Sequence, residues 1–95
     1  METGEIFTTL LTRPGVRVER IESHGHVTPD GETYDQDEDE WVFVAQGCAQ
    51  LWLEDRGEIF LGTGDHLFIA AHCRHRVVWT DPNRPTVWIA LFLSP

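Results

Sequence analysis

An all-β sandwich or barrel is the fold that this 95-residue sequence predicts, and three observations carry that reading. Short runs rich in β-branched and aromatic residues recur with turn signals about every 8–12 residues. The runs end at glycine- or proline-bearing tetrads and hexads that suit tight turns. No segment sustains the 3.6-residue apolar period of a packed helix. Helix is confined to at most one turn, in Gly4–Leu11.

The elements follow in chain order. Val16 and Val18 alternate with Arg/Glu positions at period two, and Ile21 extends the pattern. Thr28 to Glu40 is the most polar stretch, with a turn at Pro29-Asp30-Gly31 and seven acidic residues. It reads equally well as a solvated loop or as a segment with a task. Trp41-Val42-Phe43-Val44-Ala45 is a strand closed by Gln46-Gly47. Leu51-Trp52-Leu53 and Ile59-Phe60-Leu61 flank an Asp55-Arg56-Gly57 hairpin turn. Gly62-Thr63-Gly64-Asp65 turns the chain into His66-Leu67-Phe68-Ile69, where the Asp65 carboxylate suits the turn amides. His75 to Trp79 is a further strand. Thr80 to Pro85 is a loop, and Thr86 to Leu93 is the last and most apolar strand.

Composition narrows the function. Hydrophobic residues make up 41% and charged residues 24%, ordinary for one soluble domain, here residues 1–95 with an N-terminal segment 1–15 and a barrel 16–93. Seven basic residues oppose sixteen acidic ones, for a net charge of −9. That balance argues against nucleic acid, whose binding rests on phosphate neutralisation by Lys and Arg, and against an anionic membrane surface. No apolar run approaches the ~20 residues of a spanning helix. Met1–Leu11 lacks a basic n-region, so it does not read as a secretory signal. Two cysteines, Cys48 and Cys73, are too few for a disulfide framework, and free thiols in the cytoplasm are the expectation. Several strands are apolar on both sides: Trp41 and Phe43 oppose Val42 and Val44, Trp52 opposes Leu51 and Leu53, and Trp88 opposes Val87 and Ile89. One barrel has one inside, so the outer aromatics call for cover, either by sheet packing in a homodimer or by the N-terminal segment.

Chemistry rests first on histidine. Of the five, His24-Gly25-His26 would share one face of an extended chain, and His72-Cys73-Arg74-His75 follows a strand across a tight turn. Glu40 leads the Val42/Val44 face. If that face is the interior, its carboxylate points into the barrel and needs a donor or a cation. Cys48, Cys73, His66, Arg74 and Arg76 suit packing, turn and surface roles.

Two of these runs resemble the signature blocks of the cupin superfamily. Asp39 to Gly47, with Glu40 and Gly47 separated by six residues, is similar to the end of the first block. Gly64 to His75 is similar to the second, with Gly64 and His75 in register. The resemblance spans about Val16 to Leu93 and implies a small single-domain barrel of the double-sheet jelly-roll type. It also implies a site inside the barrel. The departures bear on the chemistry: the positions where the family carries its His-x-His hold Tyr34 and Gln36, or Thr33 and Asp35. Ala70 and His72 replace the second block's Pro and Gly.

Two kinds of site follow. In one, Gln36, Glu40 and His75, joined by His72 or Tyr34, hold one divalent Zn, Mn, Fe or Ni ion for an oxygenase or isomerase acting on a small organic molecule. In the other, Tyr34, Gln36, Glu40 and His75, ringed by Trp79 and Trp88, form a metal-free pocket for a small ligand, with Glu40 and His75 as an acid/base pair or as anchors. Whether Gln36 or Asp35 faces inward is open, because a one-residue slip inverts a strand's faces.

Overall fold

The computed structural model describes residues 4–95, so the first three residues of the expected N-terminal segment lie outside it. Eight strands form two sheets: β1 (Glu5–Arg13), β2 (Val16–Ser23), β3 (Asp39–Gln46), β4 (Ala49–Leu53), β5 (Gly57–Leu61), β6 (His66–Ile69), β7 (His75–Thr80) and β8 (Thr86–Leu93). The larger sheet has the order β1-β2-β8-β3-β6 and the smaller β5-β4-β7, and every pairing is antiparallel. There is no helix among the described residues, so none crosses a membrane.

Gly4–Leu11 carries no helical turn. It enters β1, which runs antiparallel to β2 from Glu5↔Ser23 to Arg13↔Val16, with a bulge at Leu10. The β-branched and aromatic run Ile6-Phe7-Thr8-Thr9 suits a strand better than a helix, and pairing with β2 decides the matter. The expected turns fall where their residues demand. Gly57 and Gly64 adopt φ of 78° and 91°, and the Asp65 carboxylate accepts the Gly62 amide at 2.8 Å. Gly47, at φ 88°, is the most constrained glycine: a Cβ there would lie 2.9 Å from Thr86 Cα and 3.0 Å from the Pro85 carbonyl oxygen.

The core lies between the sheets. Val42, Val44, Trp88, Ala90 and Phe92 of the large sheet meet Ala49, Leu51, Leu53 and Val77 of the small one. Two surfaces depart from the usual arrangement of a half-buried strand. The outer face of the large sheet is apolar, with a row Val18–Leu91–Trp41–Phe68 running straight across four strands. Trp41 stacks there on Phe43, with ring centres 6.0 Å apart. The inner face of β2 instead carries Arg17 and Glu19.

The acidic stretch 28–40 is not a free loop. It lies along β7 as a broken extra strand: the Thr28 amide donates to the Val77 carbonyl at 2.9 Å, and Tyr34 and His75 exchange backbone bonds of 2.8 and 3.1 Å. That pairing sets the register of the residues that follow it.

Candidate functional site

A cavity of about 240 Å³ lies between the two sheets at one end of the barrel. Tyr34, Gln36, Glu40, His75 and Trp88 all line it. Each is placed by a separate element. Val42 and Val44 are buried, so the alternation of β3 aims Glu40 inward. His75 opens β7, opposite Leu53 of β4. Trp88 sits on β8 between Ile21 and Val44, with its indole N–H donating to Ser23 at 3.0 Å. The backbone exchange between Tyr34 and His75 turns Tyr34 and Gln36 to the cavity and leaves Asp35 and Asp37 outside. This answers the choice between Gln36 and Asp35: Gln36 faces in.

His75 is fixed by its neighbours. Nδ1 lies 2.9 Å from the Cys73 carbonyl, which can only accept, so Nδ1 carries the proton and Nε2 offers its lone pair to the cavity. The side chain is only 7% exposed, and Nε2 stands 3.7 Å from Glu40 Oε1, beyond hydrogen-bond reach. Tyr34 stacks on the imidazole with ring centres 5.5 Å apart and a 28° tilt. Gln36 donates its amide to Glu40 Oε1 at 2.9 Å. Burial pushes the Glu40 carboxyl above the usual carboxylate range, against the opposing pull of His75 and the Gln36 bond. Burial likewise raises the Tyr34 hydroxyl, helped by the negative field of Glu5.

His72 and Trp79 are placed outside this cavity. The His72 ring is exposed and held between Asp35, 2.8 Å from Nδ1, and Asp37, 3.2 Å from Nε2. Both nitrogens are thereby occupied on the protein surface, which follows from the left-handed turn at His72 (φ 62°). Trp79 stacks on Phe60 on the outside of the small sheet, with ring centres 6.5 Å apart. His24 turns to Glu22. His26 lies 3.5 Å from Glu5, and Gly25 (φ 68°) breaks the extended path that would have put the two rings on one face.

Four cavity residues have no counterpart in the sequence reading: Glu5, Phe7, Arg17 and Glu19. Glu5 Oε2 accepts from Ser23, which in turn accepts from Trp88, so β1, β2 and β8 share one polar chain. Arg17 bonds Glu19 at 3.0 Å and both oxygens of Glu38 at 2.9 and 3.1 Å, and its guanidinium lies 4.2 Å over the Phe92 ring. The only local signal for these two was the Arg/Glu alternation of β2, which shows two faces without saying which is inside.

The fold suggests a metal, and the donors can be tested against one. Catalytic centres of the zinc type use three protein ligands, whereas only Glu40 and His75 meet here. The third neighbour, Gln36, turns its amide nitrogen to the carboxylate. No group of three or more His, Cys, Asp or Glu side chains among the described residues could hold an ion. The set therefore does not fit a tightly held metal.

A sequence model of the cupin domain matches residues 17–92. A search of curated proteins returns no match. Among solved structures, a Ralstonia eutropha JMP134 protein provisionally named a mannose-6-phosphate isomerase is 46% identical, with a TM-score of 0.92 over 97% of this chain and 86% of that one. A cupin superfamily protein from Desulfitobacterium hafniense DCB-2 is 18% identical, with a TM-score of 0.80 over 100% of this chain and 82% of that one. The Fe(II) form of HppE is also 18% identical, with a TM-score of 0.77 over 94% of this chain but 50% of that one. These last two likenesses speak for the fold alone.

Proposed function

The chain belongs to the cupin domain family, and from that premise we propose that it binds a small organic molecule in the barrel cavity, held by Tyr34, Gln36, Glu40 and His75 without a resident metal. The observation that carries this reading is the convergence of those four side chains, with Trp88, on one cavity of about 240 Å³. Apolar walls with a few polar groups aimed inward are what a ligand site requires. The volume is below the roughly 300–1,000 Å³ typical of drug-sized ligands, so the ligand is small. Nε2 of His75, with its lone pair toward the cavity, and Glu40 Oε1, 3.7 Å away, are both placed to exchange a proton with a ligand. The pair thus equips the site for proton transfer, as an isomerase would use it. The relative provisionally named a mannose-6-phosphate isomerase is in keeping with that class of step.

A second reading places one Zn, Mn, Fe or Ni ion on Glu40, His75 and Gln36. The free Nε2, 3.7 Å from the carboxylate, favours it. Metal analysis by mass spectrometry, on untagged protein purified without chelator, separates the two. The expected result is only trace metal, alike in wild type, Glu40→Ala and His75→Ala, with ligand-dependent stabilisation in a small-molecule screen. One metal per chain, lost in both variants, overturns the metal-free reading. The proposal further includes a cytoplasmic homodimer. The apolar outer face of the large sheet supports the dimer, and the free thiols Cys48 and Cys73 support a reducing compartment.

A further inference from the structure

The cavity's chemistry narrows the ligand beyond small and organic, on the reading that the cavity is a ligand site. Its lining holds three carboxylates, Glu5, Glu19 and Glu40, and one guanidinium, Arg17. Arg17 is already committed to Glu19 and, with two further bonds, to Glu38. The chain has no lysine, and the other six arginines do not line the cavity. Among the described residues no free cation therefore reaches a ligand there.

Hydrogen-bond capacity is lopsided in the same sense. Most donors are engaged: the Gln36 amide on Glu40, the Trp88 indole on Ser23 and the Ser23 hydroxyl on Glu5, which leaves the Tyr34 hydroxyl and the second Gln36 N–H. The acceptors are open. His75, 93% removed from solvent by its 7% exposure, aims an unpartnered Nε2 lone pair into the space, beside the Glu40 carboxylate. The Trp88 and Tyr34 rings add π-faces to the wall, and such faces attract cations. A group that carries positive charge and several N–H donors satisfies all of these at once, whereas a phosphate or carboxylate would face three carboxylates with no uncommitted guanidinium to offset them.

We propose that the cavity selects a small protonated amine and rejects anionic ligands, phosphorylated sugars included. The ammonium group sits between the Glu40–His75 pair and Glu5, and its alkyl part lies against Trp88, Ile69 and Val77. The relative's name would call for a sugar phosphate, and this cavity offers such a phosphate no counter-charge.

The test uses the wild-type protein at neutral pH and three probes of one chain length: n-butylammonium, n-butanol and n-butyrate, with mannose 6-phosphate as a fourth. Dissociation constants come from titrations followed through the Trp88 indole N–H resonance. Butylammonium should bind about tenfold more tightly than butanol, with no binding of butyrate or mannose 6-phosphate. Glu5→Gln should bring the amine and alcohol constants together, and Glu19→Gln serves if that variant is poorly folded. Butanol equal to butylammonium, or tight butyrate or mannose 6-phosphate, overturns the charge preference while leaving a ligand-binding cavity. Silence from all four probes also overturns the amine, and the small-molecule screen then decides whether the cavity binds anything at all.

Discussion

The two faces of the large sheet differ in a way that runs against the usual rule for a half-solvated sheet. The inner face carries Glu5, Arg17, Glu19 and Glu40 beside Phe92 and Trp88, around an open cavity. The outer face carries Val18, Leu91, Trp41 and Phe68 in one unbroken row. Four charged side chains lie within, and a hydrocarbon row crosses the outside beside the Arg20–Glu22 ion pair. The core continues from Val44 and Ala49 at one end into the apolar wall of the cavity, where Leu51, Ile69, Val77 and Phe92 belong to both. An apolar outer face and a polar inner one each cost stability in an isolated barrel. Both costs are offset if the outer face is covered and the inner one holds a ligand.

That contrast can be broken from the outside first. Trp41→Asp, at the centre of the outer row, should turn the proposed dimer into a monomer in light scattering, with a clear fall in melting temperature. A wild type that is already monomeric at working concentration would remove the reason for the outer apolar row. A smaller effect is expected inside. Arg17→Met keeps packing on Phe92 but strips the only guanidinium from three lining carboxylates. The guanidinium is about a third exposed, so the loss at neutral pH should be about 1–2 kcal/mol, between the surface and buried limits for ion pairs. An Arg17→Met melting point that tracks wild type at every pH would show that the inner charges are solvated independently.

Glu40→Gln sharpens the comparison with the opposite sign. Burial favours the neutral carboxyl, so its pKa in the fold lies above the unfolded value of 4.5. The stabilising contribution of the protonated form is whole below about 4.5 and is lost as pH rises through the raised value. Glu40→Gln should therefore melt like wild type in acid and a few degrees higher at neutral pH, while ligand stabilisation disappears. A variant less stable than wild type at neutral pH would mean that the carboxylate is satisfied as an ion.

The smallest effect concerns the strap that delivers Gln36 to the inner face. His72 holds Asp35 and Asp37 on its outside, and the Asp35 bond raises its pKa above 6.5. This tether is complete below about 6.5 and weakens as pH rises through the raised value. The protection factor of the His72 amide, whose N–H donates to the Gln36 carbonyl at 2.8 Å, should fall over that range with almost no change in melting temperature. A protection factor that is flat with pH would assign the strap to its backbone bonds alone.

Much of this was legible in the chain. The strands from β2 to β8 follow from apolar runs and glycine turns. Glu40 and His75 followed from their registers with Gly47 and Gly64 in two family-like blocks, and burial of Val42 and Val44 makes the inward aim of Glu40 a matter of strand alternation. Tyr34 and Gln36 were candidates from the positions where the family carries its His-x-His, and Trp88, with Trp79, as an aromatic ringing the pocket. Local pattern goes no further because a period of two is unchanged by inversion: Val16-Arg17-Val18-Glu19 presents two faces, and either could be inside.

The sequence by itself determined an all-β barrel and its turns, because those depend on spacing within a strand and on residues that suit particular φ values, and its resemblance to the cupin blocks singled out Glu40 and His75. Only the tertiary structure decided the rest. Pairing with β8 turned Arg17 and Glu19 inward, and pairing of β1 with β2 brought Glu5 across from Ser23. Two backbone bonds to His75 chose Gln36 over Asp35, and a left-handed turn put His72 on the surface. Each of these rests on contacts between residues far apart in the chain, where no local periodicity records which face the partner will take.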